Sequence, residues 1–135
     1  MNEELLALTK QARSECLENL GYTEENRKSA ENLLLGRCKS NSKYLKEVLE
    51  NNGYNPEIGG GVLRAGAWNR RDEIDSFQHA IRQREPIHYW VRVDRHICEV
   101  ASEADQYHGE PIATRIHPEQ LGYIVFEDSY DGLEN

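Results

Sequence analysis

Residues 88–101 read HYWVRVDRHICEVA and predict a β-hairpin. β-Branched and aromatic residues dominate both sides of Asp94-Arg95, as in strands that have one buried face. We assign one strand to Ile87–Val93, a second to 96–101, and Asp94-Arg95 to the turn between them. A third stretch, 122–127 (GYIVFE), has the same character. The second half of the chain therefore predicts a small antiparallel sheet.

The first half has helical periodicity instead. Apolar residues recur at three- and four-residue spacing over 2–20 and over a segment that begins at Cys38 and ends at Asn52-Gly53, and 24–34 predicts a shorter helix. Helices first and strands later predict an α+β fold, in which N-terminal helices pack on the sheet. At 135 residues the chain 1–135 is a single domain, and we expect its acidic end, 128–135, to be frayed.

The charge balance restricts the partners. With 24 acidic and 16 basic residues the formal net charge is −8, which argues against nucleic acid or an anionic membrane as the main partner. No apolar run has the length of a membrane span and the first residues lack a signal-peptide pattern, so the cytoplasm is the expected location. The three cysteines form an odd set without a CxxC pair, which predicts free thiols, and Cys16 falls on the apolar stripe of the first helix.

Cys38 opens a helix directly after Gly36-Arg37. The N-terminus of a helix carries partial positive charge and unpaired N–H groups, both of which favour a thiolate. The same N–H groups can stabilise an oxyanion. Position alone leaves two interpretations open, a reactive nucleophile and a thiol that merely packs inside.

The hairpin register brings His88 and Glu99 together. If Asp94-Arg95 is a two-residue turn, Val93 faces His96, Trp90 faces Glu99 and His88 faces Ala101. Side chains alternate along a strand, so His88 and Glu99 share one face as diagonal neighbours. A carboxylate beside an imidazole fixes its tautomer and stabilises the imidazolium.

Taken in order, these segments resemble a known family. The stretches GRCKSNSKYLKEVLENNGY, HYWVRV and HICEVASEADQY are similar to the transglutaminase-like branch of the papain-like cysteine enzyme superfamily. The similarity extends over about 33–107. The residues that carry it are Gly36, Cys38, Ser42, His88, Trp90 and the pair Gln106-Tyr107.

The resemblance implies a cysteine enzyme that cleaves or exchanges amide bonds through a thioester. It implies Cys38 as nucleophile, His88 as general base and Glu99 as the third catalytic residue, with a peptide, protein or small amide as substrate and no cofactor. Glu99 departs from the family pattern, which has Asp there. The departure leaves Asp105 as an alternative third residue, whereas Asp94 would lie in the turn, too far from His88.

Two other interpretations compete with catalysis. One is a metal site, but the candidate ligands lack tight spacing apart from His96-x-Cys98, which faces away from His88. The other is a non-catalytic binding module that keeps the fold. For a catalytic domain, the triple glycine 59–61 and the charged segment 65–84 are the expected substrate-facing loops.

Overall fold

The computed structural model describes residues 2–21, 23, 25–64 and 72–131. Three helices come first: α1 (Glu3–Asn19), α2 (Arg27–Leu35) and α3 (Cys38–Asn51). The Asn2 side chain caps α1 by accepting a 3.0 Å hydrogen bond from the backbone N–H of Leu5. Cys16 is buried in the core on α1, as its place on the apolar stripe predicts.

The turn between α2 and α3 is held by a side chain of α3. Asn41 is buried and donates a 2.8 Å hydrogen bond from Nδ2 to the carbonyl oxygen of Leu34 at the end of α2. The apolar face of α3 contributes Leu45, Val48 and Leu49 to the core. This face fixes the orientation of α3, and therefore the place of its first residue, Cys38.

Five strands form one antiparallel sheet in the order β4-β3-β2-β1-β5. The strands are β1 (Glu57–Leu63), β2 (Ile87–Val93), β3 (His96–Glu99), β4 (Ile112–Thr114) and β5 (Tyr123–Ile124), and a short helix, α4 (Phe77–Arg82), precedes β2. The prediction of an α+β fold with an antiparallel sheet is confirmed. The strands predicted at 96–101 and 122–127 are shorter than expected, because β3 ends at Glu99 and β5 has two residues.

The hairpin has the predicted register. Val93 pairs with His96 and Val91 with Cys98, so Asp94-Arg95 is a two-residue turn. Both turn residues have positive φ, 48° and 65°. Such turns match the twist of the two strands even though Asp-Arg is not the preferred pair for this conformation.

The two faces of the sheet are covered differently. Helices α1 and α3 pack on one face around Val91, Val93 and Cys98. The other face carries an aromatic cluster around Trp90 and Tyr123, closed by the 3₁₀ turn Pro118–Leu121. Within the residues described, no helix is long and apolar enough to cross a membrane.

The triple glycine lies in a strand, so the prediction that it forms a loop is wrong. Gly59, Gly60 and Gly61 are buried in β1. A Cβ on Gly59 would overlap the Tyr130 ring and lie 2.6 Å from Trp90 Nε1. A Cβ on Gly61 would overlap the carbonyl oxygen of Ile124 and lie 3.0 Å from the Trp90 ring. Gly59 and Gly61 therefore have no room for a side chain, and the segment 65–71 lies outside the described residues.

The acidic end of the chain, which we expected to be frayed over 128–135, makes specific contacts in its described part, 128–131. Ser129 is fully buried, and its carbonyl oxygen accepts a 2.8 Å hydrogen bond from the N–H of Gly60. Asp128 caps α4 by accepting hydrogen bonds of 2.7 and 3.1 Å from the backbone N–H groups of Phe77 and Gln78. Residues 132–135 lie outside the described part.

Candidate active site

Cys38 is the first residue of α3, which is 14 residues long. The first N–H groups of a helix have no partner inside the helix, and the helix dipole places positive potential there. Cys38 is partly exposed, whereas Cys16 and Cys98 are buried. Cys38 is therefore the most solvent-accessible of the three cysteines. Burial raises the pKa of the other two thiols, that of Cys98 to about 12.

His88 lies on β2 and is 1% exposed. Its Nε2 is hydrogen-bonded to Oε1 of Glu99, which is itself 3% exposed. The register predicted from the sequence therefore correctly placed His88 beside Glu99. His88, Trp90 and Glu99 share the face that carries the aromatic cluster, whereas Ala101 packs with the helix-facing core.

Tyr123 is a member of this site that the sequence did not identify. Its hydroxyl donates to both carboxylate oxygens of Glu99, at 3.1 and 2.9 Å. Its ring stacks on Trp90, with centroids 5.3 Å apart and planes inclined by 15°, and lies 4.6 Å from the His88 ring. From the sequence, 122–127 was expected to be a core strand, and no local signal links Tyr123 to Glu99, which lies 24 positions earlier.

The charge state of His88 follows from its neighbours. Burial acts to lower its pKa, but the Glu99 carboxylate and the Cys38 thiol group outweigh burial and raise the pKa to about 10. Nε2 is used by Glu99, and no group in the described part of the chain completes a well-aligned hydrogen bond to the buried Nδ1. Nδ1 is therefore the ring nitrogen left for Cys38.

Two half-buried groups, Tyr89 and Glu103, and the exposed Lys39 lie around this pair. Burial and the nearby charge of Cys38 raise the pKa of Tyr89. The ammonium of Lys39 lies 5.6 Å from the centre of the Tyr89 ring. Burial also raises the pKa of Glu103, although His88 acts in the opposite direction. The rim of the site therefore carries a cation, a phenol and a carboxylate.

The other residues of the predicted motif are placed as follows. Ser42 and Trp90 are buried, Gln106 is exposed, and Tyr107 packs against the aromatic cluster. Asp94 lies in the hairpin turn, at the opposite end of β2 from His88, as expected. The side chain of Asp105 lies outside the described residues, so Asp105 stays an untested alternative to Glu99.

A metal site was one of the two competing interpretations of the sequence. Among the residues that the structure describes, no group of three or more His, Cys, Asp or Glu side chains is placed to hold a metal ion. His96 uses Nδ1 for a 2.8 Å hydrogen bond to the carbonyl oxygen of Asp94 in its own turn. Cys98, two residues further on, is buried against α1 and α3.

Comparisons of this chain with protein-family models, with curated proteins and with solved structures found no match.

Proposed function

We propose that this protein is a cysteine-dependent amide hydrolase or acyl transferase of the transglutaminase-like, papain-like type, acting through a thioester on Cys38. The observation that carries the proposal is the position of His88 between a thiol at a helix N-terminus and a buried carboxylate. A nucleophile, a base and a group that orients the base are the parts that covalent acyl transfer needs. The resemblance in motif order supports the same assignment.

In the first half of the proposed reaction, the Cys38 thiolate attacks the carbonyl carbon of an amide. A C–S bond forms and the negative charge moves to the carbonyl oxygen, for which the backbone N–H of Cys38 is a donor at the helix N-terminus. When the tetrahedral intermediate collapses, the C–N bond breaks. The His88 imidazolium gives its proton to the leaving amine, and the thioester remains.

In the second half, water or an amine attacks the thioester. His88, now neutral, takes the proton from the attacking group, the C–S bond breaks and the thiolate is restored. Glu99 accepts the hydrogen bond from Nε2 throughout, which leaves Nδ1 as the ring nitrogen available to the sulfur. Tyr123 acts as a positioning residue, because its hydroxyl holds both oxygens of Glu99.

The competing proposal is a binding module of the same fold without chemistry. Two features favour it: His88 is almost completely buried, and the third residue is Glu where the family pattern has Asp. The reactivity of Cys38 separates the two proposals, because a packed thiol in a binding module has no reason to be activated.

The test is the pH dependence of Cys38 alkylation by iodoacetamide, followed by peptide mass spectrometry so that Cys16 and Cys98 need no substitution. We expect Cys38 of the wild type to be alkylated rapidly near neutral pH. His88→Gln should slow this alkylation, because the sulfur loses its neighbouring imidazolium. His96→Gln is the matched control, because His96 is the half-exposed histidine on the neighbouring strand, and should leave it unchanged.

Acyl transfer itself is tested with an activated ester, p-nitrophenyl acetate, and intact-mass measurement. Accumulation of one acetyl group on Cys38, lost in Cys38→Ser, supports the proposal. An inert Cys38, or a thiol that titrates normally whatever residue stands at position 88, favours the binding module.

A further inference from the structure

A second candidate site lies at the other end of the hairpin. A groove of about 410 Å³ is formed where the β2–β3 turn meets the segment after β4. Arg92 is four residues from His88 on β2, which corresponds to about 13 Å along the strand. The groove is therefore separate from the Cys38 site. Its lining includes the three arginines Arg92, Arg95 and Arg115 and the imidazole of His117.

The three arginines differ in how far they are neutralised. Arg92 donates from Nε to Glu57 at 2.7 Å, and its guanidinium lies 3.5 Å from the centre of the Tyr130 ring. By contrast, Arg95 and Arg115 are exposed and form no ion pair with the described part of the chain. Among the described residues, two guanidiniums without an ion pair thus line the groove together with a third that is held in place.

His117 adds a fixed hydrogen-bond donor. It is the N-cap of the 3₁₀ turn Pro118–Leu121, and its Nδ1 accepts a 3.2 Å hydrogen bond from the N–H of Glu119. Because Nδ1 accepts, the neutral ring carries its proton on Nε2. His117 can therefore donate from Nε2 in either charge state.

The rest of the groove is apolar. Ile97, Ile116 and Val125 are among the residues that line it, and none of its lining residues is acidic. A concave apolar surface with a few convergent charged donors is typical of a ligand site. The chain as a whole has a formal net charge of −8, whereas the described residues that line this groove carry positive charge.

We propose that this groove binds an acidic polypeptide segment in which an apolar side chain lies between carboxylates. Guanidiniums recognise carboxylates through paired hydrogen bonds, and the apolar lining complements an aliphatic or aromatic side chain. The acidic remainder of the surface disfavours an extended polyanion, because a nucleic-acid backbone needs a continuous basic face. The proposal does not depend on the chemistry of Cys38.

The experiment uses the full chain carrying Cys38→Ser, so that catalysis cannot contribute. The probe is a fluorescein-labelled peptide of sequence Glu-Leu-Glu-Glu-Leu-Glu, and fluorescence anisotropy measures its binding at low and at moderate salt. The test variant is Arg95→Gln with Arg115→Gln. The control is Arg82→Gln with Arg84→Gln, which changes the net charge equally at two exposed positions on and after α4.

We expect saturable binding that weakens with salt and falls at least about tenfold in the test variant, while the control stays within about twofold. All four positions are exposed, so thermal unfolding should be unchanged in both variants. Equal loss in the test and control variants, or no saturable binding, would overturn the proposal. Displacement by millimolar inorganic phosphate, or tighter binding of a labelled hexanucleotide, would also overturn it and assign the groove to phosphate.

Discussion

Glu99→Gln removes one charge from the centre of the candidate site and almost nothing else. Glutamine has nearly the same shape as glutamate and keeps a carbonyl oxygen that can accept from His88 Nε2 and from Tyr123. Burial has the largest effect on the pKa of His88, and it lowers that pKa. The Glu99 carboxylate has the largest of the effects that raise it, and the resulting pKa is about 10. Without the carboxylate we expect this pKa to fall to near or below the ordinary value of 6.5.

The size of the expected effect follows from the difference between these two pKa values of His88. A pKa of about 10 instead of 6.5 corresponds to a preference for the imidazolium on the order of 5 kcal/mol. In Glu99→Gln most of the His88 rings are then neutral at pH 7, and alkylation of Cys38 at that pH should be slower because the sulfur has lost its neighbouring positive charge. NMR titration of the His88 ring measures the same change directly.

Two variants serve as controls for this experiment. Glu103→Gln removes a half-buried carboxylate that does not hydrogen-bond the His88 ring, and should leave the alkylation profile close to that of the wild type. Asp105→Asn tests the alternative third residue. If Glu99→Gln alkylates like the wild type, or if Asp105→Asn alone abolishes the activation, our account of the site is refuted.

The same ionisation predicts how stability depends on pH. The folded pKa of His88 is above its unfolded value, so the stabilisation by the buried imidazolium is complete below about pH 6.5 and is lost as the pH rises towards about 10. In Glu99→Gln this loss should be much smaller. Urea unfolding at pH 6 and pH 9.5 measures both, and an equal loss in the variant and the wild type contradicts the assignment.

Two further substitutions test the packing around the site. Tyr123→Phe removes the hydroxyl that holds Glu99 and should lower the free energy of unfolding, measured in urea, by about 2 kcal/mol. The control Tyr107→Phe, at a half-buried ring of the same cluster, should change the free energy of unfolding little. Equal losses in the two variants would mean that the Tyr123 hydroxyl does not specifically support Glu99. Gly59→Ala should lower the free energy of unfolding by about 1–3 kcal/mol, because its methyl group would overlap Trp90 and Tyr130. Gly36→Ala is the control, since the nearest contact of its methyl group would be 3.6 Å away. If Gly59→Ala leaves thermal unfolding unchanged, the described packing of β1 is contradicted.

Local pattern was sufficient for the helices, the hairpin and the pairing of His88 with Glu99. Strand alternation and a two-residue turn are short-range rules, so arithmetic on residue numbers placed the imidazole beside the carboxylate. The start of α3 at Cys38 was equally accessible, since Gly36-Arg37 interrupts the helical pattern. The net charge of −8 and the expectation of free cysteines followed from counting residues in the sequence.

The tertiary structure decided what depends on contacts between distant parts of the chain. Tyr123 contacts Glu99, and Ser129 and Tyr130 pack against β1, because the chain returns to the aromatic face of the sheet. The polar segment after β5 and the run of glycines in β1 have no sequence periodicity that would predict this packing. The groove lined by Arg92, Arg95 and Arg115 is also invisible in the sequence, where these residues look like scattered surface charges. Periodicity reports which face of an element is buried, but which side chains meet there depends on how separate elements pack, and that is a property of the folded chain alone.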